Sequence, residues 1–234
     1  MIWLWLTCFS LMLAPGLPAA NLTGRVALRD SKEKTVERER NYAGVVVWLE
    51  PAAGHAPQPA SPPHAVMQQK GKRFTPHVLA VRTGTVVDFP NLDPIFHNAF
   101  SSFSGQIFDI GLYKPGSSRG VAFNRPGVVR VFCNIHAAMS AVIVVINSPW
   151  YATTEKDGTF QISRIPPGEY RLHIFHERAT ATELAKLERT LSISASDPPP
   201  LDCTISESRF LPAPHLNKHG KPYRPGDEDY KVIP

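Results

Sequence analysis

The apolar and polar positions of the chain alternate with a period of two in short bursts, separated by clusters of Gly, Pro, Asn, Asp and Ser. That rhythm predicts strands and tight turns. Leu22, Gly24, Val26 and Leu28 alternate against polar neighbours, which predicts a half-buried strand, and residues 44–49 form a continuous apolar run suited to a strand in a sandwich core. Residues 74–89 read as two strands joined at Arg82-Thr83-Gly84, 107–113 and 120–123 as two more, and 128–146 as two strand-like runs flanking a short loop. After Asn147-Ser148-Pro149 a new series begins, with a hairpin turn at Asp157-Gly158 and strands at 159–162, 170–175, 191–194 and 201–205. Helical expectations are confined to 180–188, with the charged stretch 31–40 read as a loop or a poor helix.

This pattern predicts an all-β chain of two sandwich modules. The first is expected over 21–146, with a proline-rich insertion near 51–66 whose ring-locked residues have no ladder to join. The second is expected over 147–206, and 207–234 reads as a polar, proline-rich tail over the surface. Residues 1–20 run apolar to Leu13, break at Pro15-Gly16 and end in small residues, the form of a cleaved signal peptide, and the apolar run is too short to span a bilayer. Export to the periplasm follows as an expectation, with no transmembrane segment in the mature chain.

Composition agrees with the strand reading: 15 glycines and 23 prolines stand among 234 residues of which 19% are charged. The formal net charge of +5 is spread thinly, without a dense Lys/Arg run or an aromatic stacking platform, which argues against nucleic acid as a partner.

The candidate chemistry lies in the loop inside 128–146. Cys133, His136 and Met139 follow one another at intervals of three, placing a thiolate, an imidazole and a thioether on one turn, a donor set that favours copper over hard cations. In an extended strand Val129, Val131 and Cys133 share a face, which aims the thiol inward. A second imidazole is best supplied by His97, flanked by aromatic residues and followed by Asn98, whose side chain is suited to bonding the facing loop. Two imidazoles and one thiolate with a weak thioether describe a type 1 copper site. The competing account of Cys133 is a disulfide to Cys203, which leaves His136 and Met139 without a role. His55, His64, His215 and His219 are read as solvated, and His77 as a packed or surface histidine.

The Cys-x2-His-x2-Met loop with a His-Asn pair upstream resembles the cupredoxins, most closely the short-loop amicyanin type. The stretches FPNLDPIFHNAFS, FDIGLY and VFCNIHAAMS resemble the periplasmic methylamine-utilisation-like proteins, and DGTFQISRIPPGEYRLHIFHE resembles a carboxypeptidase-regulatory-like, transthyretin-like module. The resemblance implies a Greek-key cupredoxin sandwich followed by the small β module. It places one type 1 copper on His97, Cys133, His136 and Met139, and implies a carrier of single electrons rather than an enzyme. Its partner would be a redox protein such as a c-type cytochrome or a dehydrogenase. A protein that stores, delivers or is merely braced by copper, or that binds an envelope component, is the alternative.

Overall fold

The computed structural model describes residues 19–57, 61, 63–102, 105–211 and 214–223. The expected signal peptide therefore lies almost wholly outside the described residues. Among those described, helix is limited to Lys34–Glu39 and Ala181–Ala185, so the all-β expectation holds. The second helix is shorter than the sequence suggests, starting where the Thr180 hydroxyl accepts from the Glu183 amide.

Four larger sheets stack face to face with three apolar layers between them. The outermost sheet orders Thr159–Ile165, Ala20–Arg29 and Leu201–Ser206, and the next orders Tyr151–Thr153, Val46–Pro51, Gly168–Phe175 and Arg189–Ile193. Leu22, Val26, Val47, Leu49, Ile162 and Leu172 fill the layer between this pair. The third sheet runs Val78–Arg82, Ser140–Ile146, Gly127–Phe132, Phe100–Ser101 and Phe108–Asp109. The fourth runs Ser118–Phe123, Thr85–Pro90 and His64–Val66. Val87, Phe89, Phe123, Val129, Val131 and Ile143 form their shared core.

The middle layer joins the two sandwiches. Val46 and Trp48 of one module meet Val142, Val144 and Ile146 of the other, while Val45, Val47 and Leu49 face the opposite way. Both continuous apolar runs, 44–49 and 141–146, are thus strands covered on two faces.

The expected chain boundaries need correction at the front. Ala20–Arg29 pairs with Thr159–Ile165 and Leu201–Ser206, and Val46–Pro51 pairs with Tyr151–Thr153 and Gly168–Phe175, so the first two strands belong with the C-terminal module. The sandwich that carries Cys133, His136 and Met139 is an insertion between them. Alternation tells which face of a strand is apolar, but not which sheet receives it. Two smaller expectations also change. Residues 64–66, assigned to the proline-rich loop, form a parallel edge strand against Val86–Asp88, beginning just after the last proline. The strand expected over 107–113 is broken at Gly111, which adopts φ +66°, and only Phe108–Asp109 remains a named strand.

Gly24 shows how tightly the outer sheet is built. Its backbone lies between Phe160 and Leu201, and a Cβ there would overlap the Leu201 carbonyl oxygen and crowd the Phe160 ring. Gly24→Ala is expected to destabilise the protein by about 2–3 kcal/mol, read as a lowered denaturant midpoint at unchanged slope.

Candidate metal centre

Gly127–Phe132 and Ser140–Ile146 form an antiparallel pair whose register runs from Gly127 opposite Val145 to Phe132 opposite Ser140. Residues 133–139 are the loop that closes this hairpin. The Cys133 amide donates to the Met139 carbonyl at 3.1 Å, and the Met139 amide to the His136 carbonyl at 3.0 Å, which pulls the three candidate ligands onto one compact turn. Strand parity aims the thiol as the sequence suggests, since Val129, Val131 and Cys133 all enter the same core. Met139 is buried in that core as well.

His97 arrives from a separate segment. The chain from Asn91 to His97 is folded on itself, with Asn91 Nδ2 donating to the Ile95 carbonyl at 2.8 Å and Asn91 Oδ1 accepting from the Asp93 amide at 3.0 Å. His97 then exchanges backbone hydrogen bonds with Tyr113, at 3.2 and 2.9 Å. Tyr113 lies two residues beyond the break at Gly111.

The side chains converge. Cys133 Sγ lies 3.5 Å from His136 Nδ1 and 3.9 Å from His97 Nδ1, and all three donor atoms fall within 4.8 Å of one another. A sulfur at about 2.3 Å and a nitrogen at about 2.0 Å from one ion stand about 3.5–3.7 Å apart, close to the two sulfur–nitrogen separations here, while the two imidazole nitrogens, within 4.8 Å, would draw together on an ion. Among the described residues this is the one group of three or more His, Cys, Asp or Glu side chains with such convergence.

The protonation states suit the same purpose. His97 Nε2 lies 2.8 Å from Asp93 Oδ2, so a proton held there leaves the Nδ1 lone pair facing the thiol. Burial lowers the pKa of His97 against the upward pull of Asp93, and burial with the neighbouring His97 brings His136 down to about 4. Both imidazoles are therefore neutral near pH 7, the form that binds a metal. Burial raises the Cys133 pKa, while the amides of Ile135, Asn98 and His136 pull it down. A cation between these donors supplies the charge that an ionised buried thiol otherwise lacks.

Asp93 is a residue that sequence reasoning passes over as turn chemistry. Burial raises its pKa, but bonds from the Lys72 amide, His97 and the Gly71 amide outweigh this and hold it below the usual carboxylate value. Those amides donate at 2.9 and 2.6 Å, so the carboxylate is pinned before it orients His97. Asp93→Asn is expected to weaken copper binding by about 10–100-fold, measured by competition with a chelator. Asn98 performs as anticipated: its Oδ1 accepts from the Asn134 amide at 3.3 Å and its Nδ2 donates to Asp109 at 2.7 Å, tying the His97 segment to the ligand loop.

The other histidines lie elsewhere, with one exception. His64 pairs with Asp88, and His77 pairs with Glu177 while contacting the Ser140 carbonyl. His215, read as solvated, instead stacks on Phe132 at the base of the ligand loop. Cys133 and Cys203 are both free thiols, which removes the disulfide account.

No family model and no curated protein matches the chain. Solved structures to which it is similar include three copper proteins or cupredoxins. The copper-containing nitrite reductase of Thermus scotoductus SA-01 is 27% identical with a TM-score of 0.35, over 42% of this chain and 25% of that one. A purple cupredoxin from Nitrosopumilus maritimus is 20% identical with a TM-score of 0.32, over 36% of this chain and 99% of the other. A reduced single-site mutant of amicyanin is 16% identical with a TM-score of 0.34, over 43% of this chain and 98% of the other. The chain thus spans a quarter of the nitrite reductase and nearly all of the two small proteins.

Proposed function

We propose that this protein binds one copper ion in a type 1 site made by His97, Cys133, His136 and Met139, and passes single electrons between redox proteins. The observation that carries the reading is the convergence of Cys133 Sγ with two imidazole Nδ1 atoms at 3.5 and 3.9 Å in a buried pocket of the β core. His97, Cys133, His136 and Met139 would hold a copper ion in either of its two oxidation states, because soft sulfur suits the reduced ion and imidazole is accepted by the oxidised one.

The chain's own residues supply the rest. The hairpin strands and the Asn98–Asn134 bond hold the ligands in one arrangement for both states, and Asp93 keeps His97 turned toward the thiol. With His97, Cys133, His136 and Met139 all serving as ligands, no position would be left for a substrate, which supports a carrier rather than an enzyme. Leu92, Phe96 and Leu112, the sequence neighbours of Asp93, His97 and Tyr113, are each about half exposed, which supports docking of a protein partner beside the site. A c-type cytochrome or a dehydrogenase fits that role, and the apolar leader over 1–20 supports a periplasmic setting.

Copper loading of the purified protein tests the reading. A visible band that appears with one equivalent of Cu(II), bleaches with a one-electron reductant and bleaches equally with a reduced c-type cytochrome is the expected result. A band that no protein donor bleaches leaves a copper site without the carrier function, and the absence of a band overturns the type 1 assignment.

A further inference from the structure

The ligand loop is held from outside by a segment that the copper chemistry does not require. After Leu201–Ser206 the chain leaves its own module and residues 214–223 reach the loop 133–139 of the other. Tyr223 Oη donates to the Cys133 carbonyl at 2.8 Å, and the Lys218 amide donates to Asn134 Oδ1 at 3.0 Å. His215 Nε2 donates to the Ala137 carbonyl at 2.7 Å, and its ring stacks on Phe132 with centroids 4.0 Å apart. The Tyr223 ring meets His215 edge-on at 5.1 Å. The Lys218 ammonium lies 2.8 Å from Asp109, the carboxylate that also holds Asn98. These contacts fall on both sides of His136 in sequence.

The attachment is of a kind that opens without unfolding. None of the described residues 214–223 belongs to a strand, so release breaks side-chain contacts and no sheet ladder. A cavity of about 1080 Å3 lies alongside, lined by Phe132, Ser140 and Val142 and, from the tail, by Phe210 and Leu216, so the segment is not packed down along its length.

We propose that residues 214–223 are an intramolecular strap that gates the metal centre, limiting access of reagents and exchange of metal at Cys133 and His136 until it is released. Only the copper arm of the following test rests on the metal reading above. In the full-length apo-protein, labelling of Cys133 by an aromatic disulfide reagent is followed by peptide mass spectrometry, with Cys203 as the internal reference. His215→Ala combined with Tyr223→Phe removes two hydrogen bonds and a ring stack, and each such bond is worth about three- to tenfold in an opening equilibrium. Cys133 labelling is expected to quicken at least about tenfold while Cys203 is unchanged. In the copper-loaded protein, withdrawal of copper by a chelator is expected to quicken by a similar factor.

Unchanged Cys133 labelling overturns the strap, and an equal rise at Cys203 overturns it as a local gate by showing general loosening. Lys218→Glu, which sets like charge against Asp109 without removing a buried ring, is expected to act in the same direction and keeps the test open if the double variant does not fold. If neither variant nor the parent holds copper, the metal reading fails while the labelling rates still decide the strap.

Discussion

Cys133→Ser is expected to leave the copper-loaded protein without its visible band and to weaken copper binding by well over about 100-fold. Even a carboxylate that only orients a ligand is worth about 10–100-fold, and the thiolate is the one strong, soft, anionic donor among the three that converge. A serine hydroxyl keeps the shape but stays protonated and hard. The fold is expected to survive, because Cys133 is a small side chain whose loop is held by backbone bonds to Met139 and by the Asn98–Asn134 contact. Absorption spectroscopy and chelator competition check the two halves, and an unchanged spectrum with bound copper would place the metal elsewhere.

Glu207→Ala is expected to cost about 3–5 kcal/mol, by removing the centre of a buried ionic network that joins the tail of the last strand to the rest of its module. Glu207 Oε2 accepts from Ser31 Oγ at 2.6 Å and Arg178 Nε at 2.9 Å, while Oε1 lies 2.7 Å from His176 Nε2 and accepts from Arg178 Nη2 at 3.1 Å. Arg178 continues to Glu177 at 3.0 Å, and Glu177 to His77 at 2.8 Å, whose other ring nitrogen lies 3.1 Å from the carbonyl of Ser140, next to Met139. Truncation at Glu207 leaves an arginine and a histidine facing an empty acceptor site in the interior.

The same carboxylate sets an acid limb. Burial raises its pKa, but the bonds from His176, Arg178 and Ser31 overcome this and bring it down from an ordinary 4.5 to about 2. A depressed folded-state pKa stabilises the protein above the unfolded value, so this contribution is full above about pH 4.5 and is lost as the pH falls toward 2. At about 1.4 kcal/mol per unit it amounts to roughly 3 kcal/mol. Glu207→Gln keeps the shape and is expected to flatten the stability profile between pH 4.5 and 2, measured by denaturant unfolding at several pH values. A parent-like acid limb in that variant would assign the pH dependence to other groups.

The candidate site was legible wherever its signal was local. Cys133, His136 and Met139 announce themselves because ligand type and spacing sit within one turn, and the inward aim of Cys133 follows from the period of two that Val129 and Val131 share with it. His97 is singled out by its neighbours in sequence, and the fold brings its ring to 3.9 Å from the Cys133 sulfur. Asp93 was hidden because an Asx residue between two prolines has a sufficient explanation as a turn former. Tyr223, Lys218 and His215 were hidden for another reason: a polar, proline-rich tail has no periodicity, and its partners lie some 80 residues or more away in sequence. His77, also read without a partner, finds one in Glu177, 100 positions later.

The sequence by itself determined the β class, the apolar face of each main strand and the loop that carries the candidate donors Cys133, His136 and Met139. These depend on repeat period and on chemistry carried by adjacent residues, which survive in one dimension. Tertiary structure alone decided that the first two strands return to the C-terminal module, that Asp93 backs His97 and that the tail crosses the ligand loop. In each case the deciding quantity is which distant surface offers a free ladder, an unpaired ring nitrogen or an open carbonyl. That complementarity arises only once the sheets have stacked, because local propensity makes an element without choosing its neighbour.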